Sequence, residues 1–215
     1  MTQILKQDLF GQVSLVESPE WGRHVLRDLR PARPWIRWLA RYLARREVRA
    51  LQALAGIPSV PRVLAASRDT VRREYLDGAP MQLAQPRDGS YFKAALHVLR
   101  RLHRRGVAHN DLAKEPNWLV RPDGSPALVD FQLASVSRRR GRWFRALAHD
   151  DLRHLLKHKR SYLPERLTAR ERAILLRRSW VSRLWMATVK PVYRFVTRRI
   201  FHWADREGAG DRQLR

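Results

Sequence analysis

His109-Asn110-Asp111-Leu112-Ala113-Lys114-Glu115-Pro116-Asn117, followed thirteen residues after Asn117 by Asp130-Phe131-Gln132, is the stretch on which the reading of this chain turns. A short apolar run, Val107-Ala108, enters it. Trp118-Leu119-Val120, a Pro122-Asp123-Gly124 turn and Ala127-Leu128-Val129 then read as a small hairpin that delivers Asp130. Upstream, Ser90 is placed to N-cap a helix with Phe92, Ala95, Leu99 and Leu102 on one face, and Gly106 ends it. Taken singly, the polar residues have ordinary readings: Asp111 in an Asx turn, Asn117 in a loop, Asp130 as an acceptor at a strand end. Helix, glycine, polar loop, hairpin and a second carboxylate in that order ask for a joint explanation.

Working outward, residues from Asp8 to about Leu29 alternate weakly around Gly11 and Gly22 and read as short strands joined by turns, ended by Pro31 and Pro34. Apolar positions from Trp35 to Leu54 recur at helical spacing, and Gly56-Ile57-Pro58 closes that helix. Val60 to Leu76 gives two more strands, stopping at Asp77-Gly78. From about Trp143 the chain reads as helical, with breaks at Pro164 and Pro191. The order is a small α+β lobe over residues 1–78, a helical lobe over 79–180, and a basic amphipathic C-terminal helix and tail over 181–215. Glu47 falls on the stripe of Leu43, Leu51 and Leu54, which puts a carboxylate on a buried face and demands a cation. The alternative for Glu47 is a salt bridge at the lip with neighbouring arginines.

The composition fits a folded domain: 215 residues, 44% hydrophobic, with eight Trp, carry enough apolar surface to offset ordering entropy. Without cysteine there is neither a disulfide nor a thiolate zinc site, and a reducing compartment fits. Residues 1–8 contain no uninterrupted apolar run, so a cleaved secretory signal is not expected and the cytoplasm is. Arg and Lys interrupt every apolar stretch before the ~20 residues a transmembrane helix needs. The net charge of +24 suits an anionic partner, either membrane headgroups or nucleic acid, or reflects biased codon usage.

The loop and hairpin resemble the catalytic loop and metal-binding D-F-G of the protein-kinase superfamily, an H-x-D segment ending in Asn. Over roughly residues 20 to 160 the pattern is similar to small bacterial kinase-like proteins grouped with lipopolysaccharide-core kinases and RIO-type kinases. This resemblance implies a bilobal protein-kinase-like fold with a reduced N-lobe and a mostly helical C-lobe. It implies ATP and Mg²⁺, with the γ-phosphate passed to a hydroxyl acceptor. Asp111 and Lys114 take the catalytic positions, and Asn117 and Asp130 the metal positions. Glu47 takes the place of the helix glutamate that pairs with a phosphate-contacting strand lysine, where this chain offers Arg27. Glu74-Tyr75-Leu76 takes the hinge, with Glu74 and Leu76 reaching adenine through the backbone. Asp150-Asp151-Leu152 resembles the start of the large-lobe helix whose Asp braces the catalytic loop.

Departures accompany the matches. Asp111 and Asn117 are six apart, one more than the usual motif. Arg27 is not equivalent to Lys. Gly11 and Gly22 form no G-x-G-x-x-G loop, Gln132 replaces the D-F-G glycine, and Asn110 replaces the catalytic-loop Arg. About twenty residues separate Asp130 from Asp150 and no A-P-E segment is present, too short a platform for ordinary peptide docking. An envelope glycolipid, a lipopolysaccharide-core sugar or a protein Ser/Thr is therefore the expected acceptor. The alternatives are a catalytically inactive pseudokinase acting as a membrane-surface binding module and an RNA-associated RIO-like protein. Trp35, Trp38 and Tyr42 share a helical face beside Arg37, Arg41 and Arg45, and Val192, Phe195, Val196, Ile200 and Trp203 form a second stripe. Such stripes either pack in a core or lie in a membrane interface, peripheral on the inner face of the inner membrane.

Overall fold

The structure, a computed structural model, describes residues 2–176. The C-terminal stripe from Val192 to Trp203, the break at Pro191 and the 181–215 segment lie outside the described residues. The first half is a five-stranded antiparallel sheet in the order β1-β2-β3-β5-β4 with one long helix. Its elements are β1 (Thr2–Asp8), β2 (Gly11–Ser18), β3 (Gly22–Asp28), α1 (Arg37–Ala53), β4 (Val63–Ala66) and β5 (Thr70–Glu74). β1 was not legible from the alternation, which suggests strands only from Asp8. It is an edge strand exposed along nearly its whole length, so no buried face imposes a pattern on its residues. Gly11, at φ +123°, turns β1 into β2 where a Cβ would run into the Asp28 carbonyl.

α1 begins two residues later than the Trp35 expected from periodicity, because the chain leaves Pro34 through turns bonded back to Arg33. It buries Ala40, Ala44, Glu47, Ala50 and Leu51. Ala40 and Ala44 meet Leu29 and Val71 of the sheet side, while Ala50, Leu51 and Leu54 join the larger core of the second half. That shared core ties α1 to the elements carrying the polar loop.

The second half contains β6 (Ala79–Pro80), α2 (Met81–Ala84), α3 (Gly89–Arg104), β7 (Val107–Ala108), β8 (Trp118–Val120), β9 (Pro126–Leu128), β10 (Ser135–Val136) and α4 (Arg142–Tyr162). The N-cap of α3 is Asp88, not Ser90: its carboxylate accepts the Ser90 N–H at 2.9 Å and the Ser90 hydroxyl, leaving Ser90 inside the first turn. The expected apolar stripe is present and wider, with Tyr91, Phe92, Ala95, Val98, Leu99 and Leu102 buried. The β8–β9 hairpin pairs Trp118 with Leu128, and β6 adds a third strand. β7 pairs with β10, and Gly106, at φ +73°, sits where a Cβ would strike the Ser137 carbonyl. α4 starts at Arg142, nine residues before Asp151, so the Asp150-Asp151 pair lies inside the helix and not at its start.

Residues up to Leu167 form one compact unit, and Thr168 begins another. In the latter, Thr168 and Glu171 form a capping box, with the Thr168 N–H on the Glu171 carboxylate at 2.8 Å and the Glu171 N–H on the Thr168 hydroxyl at 3.2 Å. The box opens α5 (Ala169–Leu176).

Candidate functional site

β7 carries the chain to His109, and Asn110 then takes a left-handed conformation at φ 67°. α4 clamps the polar loop from its entry onward. The buried Asp151 carboxylate accepts the His109 N–H at 2.8 Å and the Asn110 N–H at 2.9 Å, and His103 of α3 reaches the same group at 3.2 Å. Seven residues on, His158 Nε2 lies 2.8 Å from the Leu112 carbonyl; four further, the Tyr162 hydroxyl donates to Glu115 at 2.7 Å. Spacings of seven and four keep all three side chains on one helix face. Hydrogen bonds to an ionised carboxylate are stronger than neutral ones, so Asp151 is the main anchor. Asn110, at the position where the resemblance has arginine, donates its amide to the Leu133 carbonyl and the Ser135 hydroxyl, each at 2.8 Å. It ties the loop to the segment beyond Asp130.

The clamped loop brings the polar residues together. Asn117 Nδ2 donates to the Asp111 carbonyl at 2.8 Å and to its carboxylate at 3.1 Å, and Lys114 Nζ lies 3.2 Å from that carboxylate. A 3-10 turn at Glu115–Asn117 absorbs the additional residue of the loop. The Val129 N–H donates to the Asn117 carbonyl at 3.1 Å, which brings Asp130 up beside this group. Asp130 is left-handed at φ 64° and accepts the Gln132 amide at 2.7 Å.

The two carboxyls are pushed apart. Burial raises Asp111 above the ordinary carboxylate range, and the negative charge of Asp130 adds to this, although Lys114 and Asn117 pull it partly back. Burial alone would raise Asp130 too. There the Arg27 and Arg73 guanidiniums, with Gln132 and His109, outweigh it and hold the carboxyl below its usual value. Asp111 is thereby made the more basic of the two and Asp130 the more firmly anionic, the pattern that divides acid–base work from charge work.

Those guanidiniums come from the sheet. Arg27 lies on β3, Arg73 on β5, and between them the fully buried Glu47 of α1 is 3.3 Å from Arg27 and 2.8 Å from Arg73. The β3–β5 register sets Val25 opposite Arg73 and Arg27 opposite Val71, so both arginines share one sheet face. Neither Glu47 oxygen, nor Arg73 Nη1, makes a directed hydrogen bond. The contact is one of charge. The sequence points to Arg27 alone as the partner of Glu47; Arg73 is the second, and its alternation with the buried Val71 is the signal that places it inside.

Residues 24–171 match the family model of the RIO domain. The chain belongs to the RIO family. Among solved structures it is similar to the Rio2 kinase from Chaetomium thermophilum, with a TM-score of 0.61 and 20% identity over 79% of this chain and 58% of that one. The fold is thus protein-kinase-like, and the chain spans less than two thirds of that kinase. No curated protein matches it significantly.

Every residue of the clamp, the carboxylate pair and the arginine cluster lies inside the matched RIO region. Within this RIO domain, Glu74 ends β5 with its N–H on the Arg62 carbonyl at 2.8 Å and its carboxylate on Arg62 Nε at 3.1 Å. The Arg62 N–H donates to the same carboxylate at 3.2 Å, and Glu74 also pairs with His24 of β3, so its side chain and N–H are both engaged. Leu76 packs with Leu119, Ala127 and Val129 in an apolar cluster that ends at Asp130. Among the described residues, no three His, Cys, Asp or Glu gather as a self-sufficient metal cage. Mg²⁺ needs only one or two carboxylates when phosphate oxygens complete its shell, and the all-oxygen pair of Asp130 and Asn117 suits such a hard cation. With the Asn117 Nδ2 spent on Asp111, its amide oxygen is left for a ligand.

Proposed function

We propose that this RIO domain is an ATP-dependent phosphotransferase that moves the γ-phosphate to a hydroxyl acceptor. The observation that carries the reading is the clamped loop beside Asp130, with Asp111 raised and Asp130 lowered. Asp111 orients the acceptor hydroxyl and takes its proton as the new O–P bond forms and the β–γ bridging bond breaks; Lys114, 3.2 Å away, steadies the charge. Arg27 faces the phosphates, and adenine rests against Leu76 with its edge toward the Glu74–Leu76 backbone. Asn117 and Asp130 would hold Mg²⁺, which neutralises phosphate charge when bound. Phosphoryl transfer asks the protein for positioning and charge, and both are present.

For the acceptor we favour a hydroxyl of an envelope glycolipid, such as a lipopolysaccharide-core sugar, over a protein Ser/Thr. Support comes from the short path between Asp130 and α4, where a 3-10 turn at Phe131–Leu133, β10 and a basic turn intervene. Such an enzyme would work in the cytoplasm, where ATP is supplied. A second reading has one observation behind it: Gln132 occupies an Asp130 oxygen at 2.7 Å, as an inactive binding module would. An RNA-associated role has only the net charge in its favour. The test is transfer of label from γ-labelled ATP with Mg²⁺ to purified glycolipid or to a generic protein acceptor. Label in the glycolipid, lost in Asp111→Asn, supports the enzyme and its acceptor. Label in the protein alone moves the acceptor. Nucleotide binding without transfer to either supports the inactive module.

A further inference from the structure

α1 has two working faces. Its inner face holds Ala40, Ala44, Glu47 and Leu51, and its outer face runs Trp38, Tyr42, Arg45, Arg49, with Trp35 one turn ahead of Trp38. From Trp38 to Arg49 the positions recur at steps of three and four, so they form one line about 16 Å long, with Trp35 in the turn before the helix. The aromatics are not core residues: Trp35 is 51% exposed, Trp38 68% and Tyr42 52%. The sole acid of the helix is Glu47, which points inward, while the outward cations Arg45 and Arg49 are exposed. Arg37 and Arg41, which the sequence places beside the aromatics, are engaged by the Arg30 and Ala32 carbonyls and by Asp69. The face thus offers aromatic rings at one end and uncompensated positive charge at the other.

We propose that this outer line of α1 docks the protein on an anionic lipid bilayer, independently of whether the domain transfers phosphate. Trp and Tyr favour the headgroup level, where an apolar ring and a polar N–H or O–H are both satisfied. Arg45 and Arg49 have the chemistry to meet lipid phosphates, and a chain of net charge +24 is drawn to such a surface from a distance. Because the opposite face of α1 is packed in the core, the outer line would meet lipid as a patch on a folded domain, with rings and cations side by side. Nucleic acid fits less well. A single strand is held in a groove, and the deep groove of duplex RNA excludes side chains, whereas this face is the convex side of one helix. Among the described residues no helix is long and apolar enough to cross a membrane.

The experiment is flotation of the full chain with vesicles of phosphatidylcholine alone or mixed with phosphatidylglycerol, with single-stranded RNA in a parallel arm at the same salt. We expect binding to the mixed vesicles, weakening with salt, and a loss on the order of ten-fold in the Trp35→Ser/Trp38→Ser/Tyr42→Ser variant and in Arg45→Glu/Arg49→Glu. Thermal melts confirm that each variant is folded; if the triple variant is not, Trp38→Ser alone carries the test. Wild-type binding by these variants, which would locate attachment elsewhere in the chain, overturns the proposal. So does equal binding to neutral vesicles, or preference for the RNA over the mixed vesicles.

Discussion

On the loop side of the site, Asp151 takes two backbone N–H groups at 2.8 and 2.9 Å and His158 meets a backbone carbonyl at 2.8 Å. On the sheet side, Glu47 lies as close to two guanidiniums, 2.8 and 3.3 Å, yet no directed hydrogen bond forms. Directed bonds fix position, so the Asp111 loop is set before any ligand arrives. A charge cluster fixes neutrality and leaves geometry soft. Two arginines answer two acids, Glu47 and Asp130, and a nucleotide or metal entering that balance will rearrange it. In the proposed reaction the difference would separate a prebuilt loop from an adaptable cluster that faces the phosphates.

The strongest way to break the loop side is Asp151→Ala. It strands two buried N–H donors, and we expect unfolding free energy to fall by about 3 kcal/mol or more, read by denaturant titration. Asp151→Asn, which keeps one acceptor, should fall between. Near-wild-type stability in Asp151→Ala would show that the clamp is not what sets the loop.

The sheet side should respond in binding. Arg73→Met leaves Glu47 with Arg27 alone, drawing Arg27 from the phosphates, and Mg²⁺-ATP affinity should drop about ten-fold, ~1.4 kcal/mol. Adding Glu47→Gln removes the charge left behind and should restore part of the loss, giving a coupling outside the additive range. Strictly additive effects would mean that Arg73 and Glu47 do not act as one cluster.

A smaller effect tests α4 itself. Burial pushes His154 down from 6.5 to about 4, with Lys157 and His158 adding to the shift while Asp150 and Asp151 oppose it. Its folded value lies below the unfolded one, so the unfolded chain binds more protons between these limits. The stability it contributes is present above pH 6.5 and is lost as pH falls toward 4. His158, also lowered by burial, acts in the same direction; Asp111, raised, acts in the opposite one. His154→Leu should therefore lose less melting temperature than wild type over that window. Parallel melting curves would contradict the shift.

The same division governs how much of the molecule is legible in its sequence. The hairpin that delivers Asp130 is written in local turn residues, and Glu47 is betrayed by its place on an apolar stripe. His158 and Tyr162 share a face with Asp151, but their partners lie more than forty residues away on a loop, and periodicity does not name polar partners across such distances. Ser90 and Asp88 are both good caps two positions apart, and the choice rests on where the preceding loop enters. β1 has no buried face and therefore no pattern.

In the proposed reaction Asp111 and Asp130 hold different offices, one acting on the acceptor and the other on the metal-bound phosphates. Calorimetric titration of ATP with and without Mg²⁺ into wild type, Asp111→Asn and Asp130→Asn tests it directly. We expect Mg²⁺-enhanced binding in wild type, the same enhancement in Asp111→Asn, and its loss in Asp130→Asn. Enhancement that survives in Asp130→Asn, or a wild-type chain that binds no nucleotide with or without Mg²⁺, would contradict it.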